Sequence, residues 1–346
     1  MPLIPSTFRP PALLSGGHVQ TILAALLPRN IPLTYERVRW DLPDGDFLDL
    51  DWLRRGADRV AILSHALEGS SANGCIRGMA AELARAGWDI LAWNFRGCGG
   101  KPNRLPRFYH SGDTGDLAAV IEHAASTYSR IALVGFSLGG NVTLKYLGQG
   151  GAHRSIVAAA AISVPVDIAA SRRVLDERPW NRLIYTRRLV RKVRAKVRDK
   201  ARQFPAHFDI AGIGLIRTFE QFDARYTAPL HGFRDAADYW ASASSRPYLP
   251  AIKIPTLLLN ALNDPFLAPE CFPVQEARAN PALFLETPAS GGHVGFLDFA
   301  NGAQPYSERR TAEFLTMSAT APAPAPAVKT SVATAPALGM RSAMPE

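Results

Sequence analysis

The sequence predicts an α/β fold, with a mostly parallel central sheet, helices on both of its faces and a helical cap insertion. Three observations carry this. Short apolar runs alternate with helical patterns through the first half of the chain. The alternation breaks between about 167 and 250, and it resumes at 255. Continuous apolar strands linked by helices mark a parallel sheet buried on both faces.

The elements follow in order. Tyr35–Trp40 and Phe47–Trp52 read as a hairpin around Pro43-Asp44-Gly45. Val60–Leu63 is a strand, Gly74–Arg85 a helix stopped by Gly87, and Asp89–Asn94 the next strand. Asp113–Tyr128 reads as a helix that Asp113 and Thr114 are able to cap. Arg130–Val134 is a strand, Leu138–Leu147 a helix, and Ile156–Val164 a sixth, buried strand. The cap spans 167–250, and the core returns over 251–317 with strands at 255–261 and 282–286 and a helix near 305–315. Residues 1–34 form an N-terminal arm ahead of the core, 1–166. The order is expected to end near Thr316. Residues 318–346, rich in Ala and Pro, read as a disordered tail.

Composition narrows the function. The chain has 346 residues, 47% hydrophobic and 20% charged, which is ample for a core. Its longest apolar run, Ile156–Ile162, has seven residues, whereas a membrane-spanning helix needs about 20. No secretory signal is read at the N-terminus. Cys75, Cys98 and Cys271 form neither a pair nor a metal spacing, which fits buried residues in a reducing cytoplasm. The net charge of +9 is local: residues 182–202 hold ten basic residues and one acid, and the rest of the chain balances. Leu183, Val190, Val193, Val197, Ala201 and Phe204 recur at helical spacing there. The segment 182–204 reads as one amphipathic helix with a basic outer face, suited to solvent or to an anionic membrane or partner. No basic–aromatic interleaving points to nucleic acid. Oligomeric state is not read from the sequence.

Gly135-Phe-Ser137-Leu-Gly139 lies between a strand and a helix, the setting of a nucleophile elbow. A serine hydroxyl needs a base, and in this architecture the partners follow in the order Ser, acid, His. His293, in the glycine-rich Ser290-Gly-Gly-His-Val-Gly-Phe296, is the expected base; His207 and His231 fall in the cap. Asp264, after the strand at 255–261, is the expected acid, with Asp167 as its rival. Asp298 lies beyond His293 and breaks the order. Leu138 and Leu67 are the expected backbone donors of an oxyanion hole, with Ala66 the other candidate in its loop. His65 is expected to shape that loop by hydrogen bonding. No metal or organic cofactor is required by this chemistry.

These motifs resemble the YheT-like α/β-hydrolases, related to eukaryotic lipid-acting α/β-hydrolase domain proteins. The resemblance runs from about Phe8 to Phe314. It rests on Gly17-His18-Val-Gln20-Thr21, His65-Ala-Leu-Glu-Gly-Ser-Ser71, Asn94-Phe-Arg96-Gly-Cys98, Tyr109-His-Ser-Gly-Asp113 with Asp116, Gly135–Asn141, Asn263-Asp264-Pro265 and Gly292–Phe296. It implies a charge-relay triad of Ser137, Asp264 and His293. It also implies hydrolysis of short- or medium-chain acyl esters, with monoacylglycerols or other lipid esters within reach. The family usually has His-Gly where this chain has His65-Ala66. A positive φ at 66 would cost alanine about 1 kcal/mol. The motif His18–Thr21 reads as a brace for the N-terminal arm, with a contact near the active site as the alternative.

Overall fold

The structure is a computed structural model that describes residues 2–299 and 304–320. Its nine strands are β1 (Leu3–Ile4), β2 (Glu36–Asp41), β3 (Phe47–Leu53), β4 (Arg59–Ser64), β5 (Asp89–Asn94), β6 (Arg130–Phe136), β7 (Ile156–Ile162), β8 (Thr256–Leu259) and β9 (Leu283–Glu286). They form one sheet in the order β1-β9-β8-β7-β6-β4-β5-β3-β2. The hairpin strands β2 and β3 pair antiparallel, as do β3 and β5; the other pairs are parallel.

Side chains alternate across a strand, and here both sides are buried. Val60, Ile62, Leu91, Trp93, Ile131 and Leu133 pack on one face with α3 (Gly115–Ala125) and α4 (Leu138–Gly148). Ala61, Leu63, Ile90, Ala92, Ala132 and Val134 pack on the other with α2 (Gly74–Arg85) and α12 (Tyr306–Thr320). The remaining helices are α1 (Gly17–Leu26), α5 (Ile168–Glu177), α6 (Pro179–Asn181), α7 (Arg187–Gln203), α8 (Phe219–Phe222), α9 (Ala228–Leu230), α10 (Ala236–Ala243) and α11 (Val274–Ala279). Between β7 and β8 lie only helices and loops among the described residues. That segment has its own apolar cluster, built on Val190, Val193, Val197, Phe219 and Phe222 with Phe108 from the sheet domain.

Several expectations change. The helical segment follows the seventh strand, not the sixth, because Leu3–Ile4 adds to the sheet edge beside Leu285 and Glu286. Helix α3 starts at Gly115; Thr114 makes no side-chain cap, and its hydroxyl bonds Gln149 instead. The last helix runs to Thr320, past Thr316 and into the stretch read as tail. The rest of that tail, 321–346, lies outside the described residues. The basic helix is not continuous over 182–204: a π-turn at Arg182–Thr186 precedes α7, and Phe204 closes it outside the helix. Leu183 is 57% exposed rather than in the apolar seam.

Nor is the basic face wholly outward. Lys196 and Lys200 share a helix face, one turn apart, and point inward. Lys200 is 1% exposed and donates to the carbonyls of Asn103 and Leu105, both at 2.6 Å. Its burial pushes the ammonium pKa down to about 8. Lys196 pairs with Glu68 at 2.8 Å. Loop carbonyls and a half-buried carboxylate supply the acceptors that let long cationic stems turn in.

Candidate active site

Ser137 sits between β6 and α4 with φ 51° and ψ −115°. A non-glycine residue at positive φ is strained, and such strain gathers at functional sites. Gly139 makes the turn possible, because a Cβ there would run into the carbonyl of Ser64. Ser137 is buried but for a small opening. The turn holds its hydroxyl 2.9 Å from Nε2 of His293. Nδ1 of His293 lies 2.8 Å from Oδ2 of Asp264. Since a carboxylate only accepts, Nδ1 carries the proton and Nε2 is free to accept from the serine O–H. The second oxygen of Asp264 accepts from the Phe266 N–H at 2.8 Å. The Phe266 ring stacks on the imidazole, centroids 4.0 Å apart and 6° from parallel.

The rival groups are engaged elsewhere. Asp167 caps α5, accepting from the Ala170 N–H at 2.9 Å. Asp298 pairs with Arg309 at 2.6 Å. His207 is exposed, and His231 packs against His110 with ring centroids 4.6 Å apart.

The loop that carries His293 is held at successive amides, Gly292, His293 and Val294. Gly292, Val294 and Phe296 all have positive φ, at 58°, 58° and 51°. For a β-branched residue such as Val294 that is an outlier. The Gly292 N–H donates to Asn263 Oδ1, His293 N–H to Thr21 Oγ1 at 2.8 Å, and Val294 N–H to Ser163 Oγ at 2.9 Å. Gln20, fully buried, accepts from the Leu297 N–H and donates to the Leu297 carbonyl. The motif His18–Thr21 therefore braces the histidine loop as well as the arm. A contact near the active site is the alternative the sequence offers for this motif, whereas the loop it meets and the parts played by Ser163 and Asn263 are not read from it. The clue was an unexplained Gln-Thr pair beside a glycine-rich histidine loop with no support of its own.

Thr21→Val keeps the shape and removes one acceptor. Leaving a partly buried N–H unpaired costs about 1–3 kcal/mol. We expect kcat to fall about tenfold with KM little changed, measured by steady-state ester hydrolysis. An unaltered kcat would show that the other three contacts suffice.

Leu138 opens α4, where first-turn N–H groups lack intrahelical acceptors. Leu67 follows β4, and both residues line one small cavity. Glu68, not Ala66, takes the positive φ in that loop, at 52°. The condition that would have strained Ala66 does not arise. His65 fixes the loop: Nε2 accepts from the Phe95 N–H at 3.1 Å, so Nδ1 donates to the Ala66 carbonyl at 2.7 Å. Burial lowers its pKa to about 3, keeping the ring neutral.

A family description, alpha/beta hydrolase fold, matches residues 61–300. The chain belongs to this family. Among its relatives, YheT of Escherichia coli (strain K12), which carries an esterase name, is 34% identical over 82% of this chain and 85% of that protein. Phospholipase ABHD3 of Mus musculus is 30% identical over 86% of this chain and 75% of its own length. A monoacylglycerol lipase of Saccharomyces cerevisiae is 27% identical over 77% of this chain and 60% of its own. Among solved structures, a Pyrococcus furiosus esterase superposes with a TM-score of 0.54 at 20% identity, over 84% of this chain and 93% of that one. That likeness speaks for the fold alone. No helix of this hydrolase, among the described residues, is long and apolar enough to cross a membrane.

Proposed function

We propose that the protein is a serine hydrolase of carboxylic esters, with Ser137 as nucleophile, His293 as base and Asp264 as the acid that orients it. The observation that carries this is the unbroken hydrogen-bonded chain from Ser137 Oγ through both ring nitrogens to Asp264. Ser137 attacks the ester carbonyl as its proton passes to His293 Nε2. The N–H groups of Leu67 and Leu138 stabilise the tetrahedral oxyanion. His293 then returns the proton to the departing alcohol, leaving an acyl-enzyme. A water activated by His293 releases the acid. Asp264 stabilises the imidazolium in both halves. The substrates are short- to medium-chain acyl esters, with monoacylglycerols or related lipid esters suggested by the names of the relatives. The three cysteines are unbridged, which suits a reducing compartment such as the cytoplasm. Hydrolysis of p-nitrophenyl esters from acetate to palmitate, with fluorophosphonate labelling of Ser137, tests the reading. The absence of both hydrolysis and labelling would overturn it.

A second role, peripheral contact with an anionic membrane, has its own support. Arg182, Arg187, Arg188 and Arg191 are exposed and have no ion-pair partner among the described residues. Beside them Trp180 is 69% exposed, one turn from Leu183. An aromatic and an aliphatic side chain ringed by cations suit an anionic lipid surface. Co-sedimentation of Ser137→Ala with phosphatidylglycerol vesicles is expected at low salt, to be lost at high salt and absent with phosphatidylcholine alone. No binding at low salt removes this role.

A further inference from the structure

Arg172 lies in α5, is only 8% exposed and lines the cavity that also touches Leu67 and Leu138. A guanidinium presents five N–H donors in a rigid fork. Among the described residues Arg172 makes no hydrogen bond, and its Nε is buried without an acceptor. The nearest carboxylate, Asp223, approaches Nε only to 3.7 Å. Its two oxygens are already taken, by the Thr227 hydroxyl at 2.7 Å and the Trp240 indole N–H at 2.8 Å. Asp176, the next acid, accepts from the backbone N–H groups of Phe219 and Glu220. What remains for Arg172 is the face of Phe219, 3.8 Å below it.

The contrast with Arg96 is direct. That residue is 3% exposed, and its fork is filled by Asp116 at 2.8 and 2.7 Å and by Asp46 at 2.9 Å. Buried arginines are satisfied where their task is structural. Arg172 is not, and it lines the cavity beside the elbow.

We propose that Arg172 is a substrate-binding residue whose free donors receive an anionic oxygen group, a carboxylate or phosphate, carried by the ester away from its scissile bond. The inference rests on the serine-hydrolase reading above. A planar fork matches such oxyanions two oxygens at a time, which a neutral or methyl end cannot use. Phe108, Val193 and Phe222 supply apolar wall for the intervening carbons. The cavity measures about 30 Å³, so it suits a small terminal group better than an extended chain. Lys196 on the same wall is matched by Glu68, which leaves Arg172 as the cation with donors to spare.

Matched pairs of p-nitrophenyl esters test this, their acyl chains of equal length ending in methyl or in carboxylate. A second pair compares a monoacylglycerol with the lysophospholipid that adds phosphate on the alcohol side. The arm that responds identifies which half of the ester bears the anion. In the wild type the anionic member of one pair should have the higher kcat/KM, by at least tenfold. Arg172→Met should lower that ratio at least tenfold, mostly through KM, and Arg172→Lys should restore part of it. Equal ratios in wild type and both variants, with hydrolysis intact, would overturn the role of Arg172 alone. Failure of the wild type on every ester would overturn the hydrolase reading, and this inference with it. Should Arg172→Met not fold, the wild-type ratio and the Arg172→Lys ratio still decide.

Discussion

Alanine at Ser137 is expected to lower kcat by about 10⁶-fold on any ester the wild type hydrolyses, because the nucleophile is gone and no neighbour can take its place. His293→Ala should cost about as much, and the Ser137→Ala/His293→Ala double variant no more than either. A hydroxyl without its base and a base without its hydroxyl are equally idle, so the losses do not add. Asp264→Asn should be milder, about 10⁴-fold. An asparagine at 264 keeps the shape but can offer its N–H₂ to Nδ1, which turns the imidazole to the wrong tautomer. Folding should survive in Ser137→Ala, since the hydroxyl's one side-chain contact is with His293. Activity within tenfold of wild type in Ser137→Ala, with melting temperature unchanged, would place the nucleophile elsewhere.

The sequence made part of this site legible because its chemistry is local. The turn at Ser137 needs glycine at 139, where the backbone of β4 passes too close for a Cβ. A glycine-x-serine-x-glycine after an apolar strand is therefore a steric signature. Asp264 and His293 were reachable through their order along the chain and their loops after late strands. The brace was not. Gln20 meets Leu297 and Thr21 meets His293 across some 270 residues, and no periodicity links such partners. Lys196 and Lys200 escaped for another reason. Apolar spacing finds the seam of α7 but treats every lysine as outward, so a lysine satisfied by loop carbonyls is invisible. Arg172 was hidden in the same way: its meaning lies in hydrogen bonds it does not make. The two residues of β1 are too few to carry an alternation, and only the edge of β9 makes them a strand.

Acid should unfold the protein earlier than its carboxylates alone would suggest. Burial lowers the pKa of His65 to about 3, His110 to about 3 and His231 to about 4. Lys196 presses on the first, while His231 and Lys145 press on the second. Arg107 and Arg96 act on the third. In the unfolded chain each imidazole titrates near 6.5. Below that pH the unfolded state binds protons that the folded state refuses, so stability rises with pH and falls as pH drops. By pH 5 each histidine costs about 2 kcal/mol of stability relative to neutral pH. Asp113 works the other way. Burial and the charge of Asp116 raise its pKa to about 6, so the folded state takes up a proton first and recovers about 1 kcal/mol over the same interval. The net loss from these four groups between pH 7 and pH 5 should be about 5 kcal/mol, a large share of a typical stability of about 5–15 kcal/mol. Urea denaturation of the full chain at the two pH values measures it, at fixed ionic strength. An equal midpoint at pH 7 and pH 5 would mean that these three rings are not held neutral in the fold. His65 would then be free to protonate at Nε2, lose the Phe95 N–H and release the loop that carries Leu67.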